Sequence, residues 1–375
     1  MAYFSEQEYL RYTRQLQLPG LGSAGQRALK SARVLIVGCG GLGAPVSLYL
    51  AGAGVGKLTL VDGDAVDLSN LHRQIIFTEA DVGQPKALVA ANRLRGMNSD
   101  IDIDAICEPL HAGNARTLVE QSDLVLDCTD SVAARYLINE NCIATTRPWL
   151  FASVHQYSGQ CALFLPGKAC YRCLYPEAPS TAVDCNAAGV LGALPGLLGT
   201  LQANEALRYL CGMETSSAGH LLLVESADMQ VQRLQLGQRD NCPACSQPDK
   251  PGPLPIEIPL AANLAHQADE PDPAELDANA VLIDVRSHEE RAAFHLGGEH
   301  LPLDELDHDR LESLASSSQG TPPTLLFYCQ SGPRSERACA IAAACGYSAR
   351  SIPGGIAAEL QRRARPGDTN TNPDD

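Results

Sequence analysis

Short, almost wholly apolar runs alternate with longer amphipathic stretches through the first two thirds of the chain. Val34–Val37, Leu58–Val61 and Leu124–Leu126 carry almost no polar residue, the pattern of strands buried on both faces. With helical stretches between them, they predict a parallel, doubly wound α/β sheet. The pattern stops at Ser246–Glu275, where Pro248, Pro251, Pro253, Pro255, Pro259, Pro271 and Pro273 fall among small and acidic residues. Proline removes donors and extends its neighbours, so this segment reads as a linker. Beyond it the pattern resumes in Val281–Val285 and Thr324–Tyr328, the second leading through a turn into a helical stretch, Ser335–Cys345. A second, smaller α/β domain is expected, followed by a polar tail.

At 375 residues the length fits two domains. Lys and Arg total 28 against 44 Asp and Glu, a net charge of −16, which argues against a phosphate-backbone partner. Nucleic acid is therefore not expected. The longest apolar stretch, Ala187–Leu201, is broken by glycines and Pro195 and is too short to span a bilayer; no membrane association is expected. The opening residues lack an apolar leader core. The 14 cysteines then read as metal ligands, nucleophiles or small core residues of a reducing cytoplasm.

Gly38-Cys-Gly-Gly-Leu-Gly43 follows one predicted strand and opens a helix. In that context Gly38, Gly40, Gly41 and Gly43 let backbone amides and a helix N-terminus approach phosphate. Asp62, closing the next strand, is placed to accept from ribose hydroxyls. Gly52–Lys57 resembles a phosphate loop but precedes a strand instead of following one, and reads as a helix C-terminal turn. The residues after Asp62, among them Asp64, Asn70, Arg73, Gln74 and Lys86, and then Asp130, suit a triphosphate with Mg²⁺ better than a hydride carrier.

Two Cys-x-x-Cys pairs, Cys170/Cys173 and Cys242/Cys245, have the composition of a closed four-thiolate Zn²⁺ site with a structural role. Cys39, Cys107, Cys128, Cys142, Cys161, Cys211, Cys339 and Cys345 lie in apolar or helical contexts and are expected in the cores. Cys329 ends a strand, and the tight loop after it aims backbone amides and a helix dipole at its sulfur; Arg334 adds a cation. That arrangement favours a thiolate or an anionic persulfide.

Residues 9 to 245 resemble the E1-like adenylating enzymes that activate ubiquitin-like sulfur carriers, in the MoeB and ThiF branch. The resemblance rests on Arg11–Gln15, Gly38–Gly43, Leu60–Asp64, Leu68–Gln74, Val82–Lys86 and Asp127–Asp130, in that order. It implies ATP as substrate, with Asp62 on the ribose, Asn70, Arg73 and Lys86 on the phosphates and Asp130 on magnesium. It also implies that Arg14 reaches the ATP of a second subunit, and hence a homodimer. Cys185 lies in the loop where this family can carry a cysteine that bonds to the carrier.

Residues 260 to 362 resemble rhodanese sulfurtransferases through Leu282–Arg286, Glu290, His295–Gly298, the loop Cys329–Ser335 and Gly354-Gly355, and depart from them at Phe294 and Glu299. Four residues separate Cys329 from Arg334, where cysteine phosphatases place five; the smaller cradle favours sulfur. Together the halves resemble fused enzymes of the MoeBR/MoeZ type. The expected organisation is a Rossmann-like E1-type adenylation domain with its zinc site (1–245), a linker region (246–275), a rhodanese-like domain (260–362) and a tail (363–375).

The expected function is adenylation of the C-terminal glycine of a small ubiquitin-like protein ending in Gly-Gly, followed by sulfur transfer from a Cys329 persulfide. Asp62, Arg73 and Asp130 serve the first step, and Cys329, Arg334 and Cys185 the second. A cysteine desulfurase or thiosulfate would supply the sulfur. The chain's last residues lack a Gly-Gly pair, so the carrier would be a separate protein. Two alternatives remain: a conjugating E1 with a thioester on Cys185, or an adenylating core with a non-catalytic rhodanese adaptor.

Overall fold

A computed structural model describes residues 4–177, 189–246, 280–315, 323–356 and 358–359. The chain divides into two compact units, Met1–Leu260 and Ala261–Asp375. Apart from Ser246, the expected linker lies outside the described residues, as do the tail and Cys185.

The first unit is built on an eight-stranded sheet: β1 (Arg33–Val37), β2 (Lys57–Val61), β3 (Asp102–Ile106), β4 (Leu124–Asp127), β5 (Trp149–His155), β6 (Ser158–Phe164), β7 (His220–Glu225) and β8 (Gln230–Gln235), in the order β3-β2-β1-β4-β5-β6-β7-β8. The three expected apolar strands are β1, β2 and β4, side by side at the sheet's centre. Strands β1 to β5 pair in parallel. The expectation of a wholly parallel sheet is corrected from β5 onward, because β6, β7 and β8 run antiparallel. The reversal is local: His155 pairs with Ser158 across a two-residue turn, with Gln156 at φ +52°.

A helix over Gly43–Ala53 follows β1 and is buried along most of its length. It has no polar face because it lies within the main apolar core, which includes Val46 and Leu50 with Ile36, Leu60 and Leu198. A second long helix, Ala193–Leu210, crosses it at Gly199, where a Cβ would come within 2.5 Å of the Leu42 carbonyl oxygen. This helix accounts for much of the apolar stretch at 187–201; no described helix is long and apolar enough to cross a membrane. The false phosphate loop is a helix end, with Gly54 left-handed at φ +81°. The other face of the sheet is filled by an aromatic cluster that includes Trp149, Phe151, Phe164 and Tyr171.

The second unit carries a four-stranded parallel sheet, β9 (Ala280–Asp284), β10 (Glu299–His300), β11 (Thr324–Tyr328) and β12 (Ala349–Ser351), in the order β10-β9-β11-β12. Its core joins Ile283, Leu325 and Phe327 of the sheet to Ala338 and Ala342 of the helix Pro333–Ala344. That helix starts two residues before the expected Ser335, with Pro333 in the first turn, where a missing N–H costs nothing.

Of the cysteines expected in the cores, Cys39, Cys128, Cys142 and Cys161 are buried, and Cys211, Cys339 and Cys345 are half-buried against them. Cys107 is exposed and corrects its expectation: it lies just past the end of β3, where the chain leaves the sheet.

The fold places one glycine under a hard constraint. A Cβ on Gly43 would lie 1.9 Å from the Gly38 carbonyl oxygen, so Gly43→Ala should destabilise the first unit by about 2 kcal/mol or more. Gly96, in the helix Lys86–Met97, has open space at its Cβ, and Gly96→Ala should stabilise by about 0.5–1 kcal/mol. Thermal or denaturant melts of both variants check the pair.

Candidate functional site

At the carboxyl ends of β1, β2 and β4 a cavity of about 320 Å³ opens, where ligands bind in open α/β sheets. Gly38 turns the chain out of β1 at φ +93°, and a Cβ there would lie 2.8 Å from the Cys128 carbonyl oxygen. Gly40 and Gly41 line the cavity; Gly43 does not, and serves instead to seat the helix against the loop.

Asp62 is held from two sides. Its Oδ2 accepts from the Cys39 amide at 2.7 Å and its Oδ1 from the Asp64 amide at 2.8 Å. Burial pushes its carboxyl above the usual range, against the field of Lys86 and those two amides, which pull it down. Lys86 is itself only 5% exposed. Its ammonium donates to Asp64 Oδ2 at 2.9 Å, and both residues line the cavity.

Arg73 enters from the segment after the short helical turn Leu68–Asn70, donating from Nη1 to the Ser69 carbonyl at 3.2 Å. The same Nη1 lies 2.7 Å from His72 Nε2. A guanidinium only donates, so His72 accepts there as a neutral imidazole. Burial and the charge of Arg73 both lower the pKa of His72, in keeping with that state. Asn70 supports this turn without lining the cavity: its carbonyl accepts from the amides of Arg73 and Gln74, both at 3.0 Å.

Asp130 lies at the cavity's exposed rim beyond β4, and the residue before it is clamped. Asp127 Oδ1 accepts from the Thr129 amide at 3.0 Å and its hydroxyl at 2.7 Å, while Arg135 Nη2 donates to the Thr129 carbonyl at 3.0 Å. Arg135 also faces Asp127 Oδ2 at 3.5 Å and lies over the Phe151 ring. Burial, working against Arg135, pushes the Asp127 carboxyl up to about 6. Arg135, Pro109 and Leu110 line the cavity without having been expected. No local pattern marks Arg135, whose place depends on the turn into the helix Val132–Ala144.

The structure therefore gathers Gly38, Gly40, Gly41, Asp62, Arg73, Lys86 and Asp130 around one cavity. Arg14 is exposed on the helix Glu6–Leu16 and does not line it.

Four cysteines of the first unit form a second cluster. Cys170 Sγ lies 3.9 Å from Cys173 Sγ and 3.5 Å from Cys242 Sγ, Cys173 Sγ lies 3.5 Å from Cys245 Sγ, and all four sulfurs fall within 4.8 Å of one another. Zn–S bonds of about 2.3 Å in a tetrahedron separate sulfurs by about 3.8 Å, so the four thiols fit Zn²⁺. Gln238 Nε2 and the Arg239 amide each reach a sulfur at 3.5 Å, as donors to thiolates would. Burial and the neighbouring thiols push Cys170 up, an opposition that a divalent cation would relieve. The helical turn Tyr171–Leu174 between two of these cysteines is fastened to the helix Val132–Ala144: Asn139 Oδ1 accepts from the Tyr171 amide at 3.0 Å, and Arg172 forms a buried ion pair with Glu140.

In the second unit Cys329 is 1% exposed at the end of β11. The Gly332 amide donates to its sulfur at 3.1 Å and the Ser335 hydroxyl at 3.5 Å. Burial raises the thiol's pKa, but those donors together with the amides of Ser335 and Ser331 outweigh it, and the net shift is downward. Gly355 permits the loop's packing, since a Cβ there would lie 2.3 Å from the Cys329 carbonyl oxygen. Arg334 forks onto Glu290 through two contacts of 2.7 Å and holds that carboxyl down to about 2. Its charge is thus balanced by Glu290, and hydrogen bonds are the nearest stabilisers of the sulfur. Arg286 is buried against Asp284 at 2.8 Å at the end of β9.

The model of the ThiF family matches residues 12–244. This chain belongs to the ThiF family. It is 45% identical over 248 residues to the zebrafish (Danio rerio) adenylyltransferase and sulfurtransferase MOCS3, covering 64% of this chain and 53% of that one. The ThiF-family chain thus spans about half the length of that relative. It is 42% identical over 250 residues to a sulfur carrier protein adenylyltransferase of Thermus thermophilus, covering 64% of this chain and 92% of that one. Escherichia coli MccB solved with ATP shares the fold at 21% identity and a TM-score of 0.55, over 66% of this chain and 83% of that one. The ThiF fold here is a Rossmann-like E1-type adenylation fold with a mixed sheet.

Protein purified without chelator should contain one zinc per chain, and Cys242→Ser should lose the metal and lower the melting temperature, since metal binding is partly folding free energy. Metal analysis with a thermal melt checks this. The downward shift at Cys329 predicts that its alkylation by iodoacetamide, followed by peptide mass spectrometry, has a pH midpoint below that of an ordinary thiol. Ser335→Ala removes one donor and should move that midpoint up.

Proposed function

We propose that this chain adenylates the C-terminal glycine carboxylate of a ubiquitin-like sulfur-carrier protein and then converts it to a thiocarboxylate. The observation that carries the first step is the convergence of Gly38, Gly40, Gly41, Asp62, Arg73, Lys86 and Asp130 on one cavity of a ThiF-family chain. In this reading Asp62 holds the ribose, the glycine loop, Asn70, Arg73 and Lys86 hold or support the phosphates, and Asp130 holds Mg²⁺. Bound Mg²⁺ would screen the charge of the triphosphate. A carboxylate oxygen of the carrier attacks the α-phosphorus as the bond to pyrophosphate breaks, leaving an acyl-adenylate. The nucleophile is already ionised at neutral pH, so no general base is needed; alignment and the fixed cations carry the step. A second copy of the chain would bring its Arg14 to this site, making the working enzyme a homodimer.

For the second step, the terminal sulfur of a Cys329 persulfide attacks the acyl carbon and AMP leaves, giving an acyl disulfide. A thiol, Cys185 or an external reductant, then attacks the Cys329 sulfur and releases the thiocarboxylate, leaving a mixed disulfide on Cys329. The hydrogen bonds at Cys329 Sγ support an anionic sulfur there. A cysteine desulfurase or thiosulfate would load it. The four-thiolate zinc site is structural, and the setting is the cytoplasm. In domain terms, residues 1–245 adenylate, 246–275 link, 260–362 form a rhodanese-like sulfurtransferase and 363–375 are a tail.

Carrier-dependent exchange of labelled pyrophosphate into ATP should fall about 100-fold or more in Arg73→Ala and in Asp130→Ala, with the melting temperature kept. Cys329→Ala should retain exchange and lose thiocarboxylate formation, read by mass spectrometry of the carrier. Retained exchange in both of the first two variants would overturn the adenylation site, and thiocarboxylate made at full rate by Cys329→Ala would overturn the sulfur route.

A further inference from the structure

Gln74 is 4% exposed, and its Oε1 is buried without a hydrogen-bond partner. A buried acceptor left unpaired is costly, and native structures rarely keep one unless something completes it. The residue is fixed in place: its amide donates to the Asn70 carbonyl at 3.0 Å, and its carbonyl accepts from Phe77 at 3.1 Å. It lines the nucleotide cavity beside the glycine loop, where its Nε2 lies 3.5 Å from the place a Cβ on Gly40 would take.

The reactants differ in what they can offer this atom. A triphosphate presents acceptors only, which suit the loop amides, Arg73 and Lys86 but not a carbonyl oxygen. In the adenylation reading the ribose hydroxyls are taken by the Asp62 carboxylate. Another donor is on the attacking peptide, whose terminal residue carries a backbone N–H one carbon away from the reacting carboxylate. We propose that Gln74 Oε1 accepts a hydrogen bond from the N–H of the carrier's terminal glycine and so orients the attacking carboxylate towards the α-phosphorus. This rests on the adenylation reading above and adds to it a residue that reads the peptide instead of the nucleotide.

The test is a double-mutant cycle with a semisynthetic ubiquitin-like carrier whose last peptide N–H is replaced by an ester oxygen. Pyrophosphate exchange is measured for wild type and for Gln74→Met, which keeps volume and removes the amide. With wild type, the ester should lower kcat/KM for the carrier roughly 3- to 10-fold, the range of one hydrogen bond, at unchanged KM for ATP. With Gln74→Met, the native tail should suffer a similar loss, and the ester should then cost less than about twofold more, the non-additivity of a shared contact. Gln74→Glu keeps an acceptor oxygen and should keep the ester penalty, so the comparison survives if Gln74→Met folds poorly. Additive losses, or a KM for ATP that rises in Gln74→Met, would overturn the proposal and assign the acceptor to the nucleotide or to water. No carrier-dependent exchange by wild type with the native tail would instead overturn the adenylation reading, and this inference with it.

Discussion

The first unit depends on one close approach of backbone to backbone. The Gly38 carbonyl oxygen and the Gly43 Cα are so near that a single added carbon would stand 1.9 Å from that oxygen. This contact seats the first turn of the helix Gly43–Ala53 against the loop that leaves β1. An amide of that loop, on Cys39, donates to Asp62. The loop, the helix and the carboxylate of the next strand are thus one assembly, and it tolerates no side chain at its hinge.

Around that assembly the electrostatics follow a single rule: charges taken out of water are partnered before any ligand arrives. Lys86 has Asp64, Arg135 has Asp127 and the Thr129 carbonyl, Arg172 has Glu140, and in the second unit Arg286 has Asp284. Buried ions without partners would be strongly destabilising. The pairs also fix geometry. Thr129 is gripped at its amide, hydroxyl and carbonyl by Asp127 and Arg135, which leaves Asp130 little freedom at the rim. The helix bearing Arg135 holds the turn between Cys170 and Cys173 through Asn139 and Glu140. The thiol cluster and the cavity therefore share one helix.

Much of this was legible in the sequence where the signal is local. Apolar runs marked the buried strands because strands covered on both faces have no polar side. The glycine spacing after β1 marked a loop that lines the cavity, and the paired cysteines marked a cluster that the fold brings to within 4.8 Å. The turn after Cys329 marked a sulfur facing amides, as found at Gly332. The antiparallel strands were not legible. Their hairpins turn at Gln156 and near Met229, left-handed residues that are not glycine, so the usual turn signature is missing, and β8 is exposed along its whole length, without the apolar alternation of a half-buried strand.

What the sequence by itself determined is the set of elements and of chemical groups available, since propensity, burial pattern and short motifs act over a few residues. What only the tertiary structure decided is which groups meet. Arg135 comes to the cavity from a helix, Pro109 and Leu110 come from the segment after β3, and Gln74 loses its solvent while its Oε1 gains no partner. Cys107, in a setting much like that of the buried cysteines, ends at the surface because the sheet stops one residue earlier. Burial, and with it the strength of every charge and hydrogen bond, is a property of the packed whole, and no window of sequence contains it.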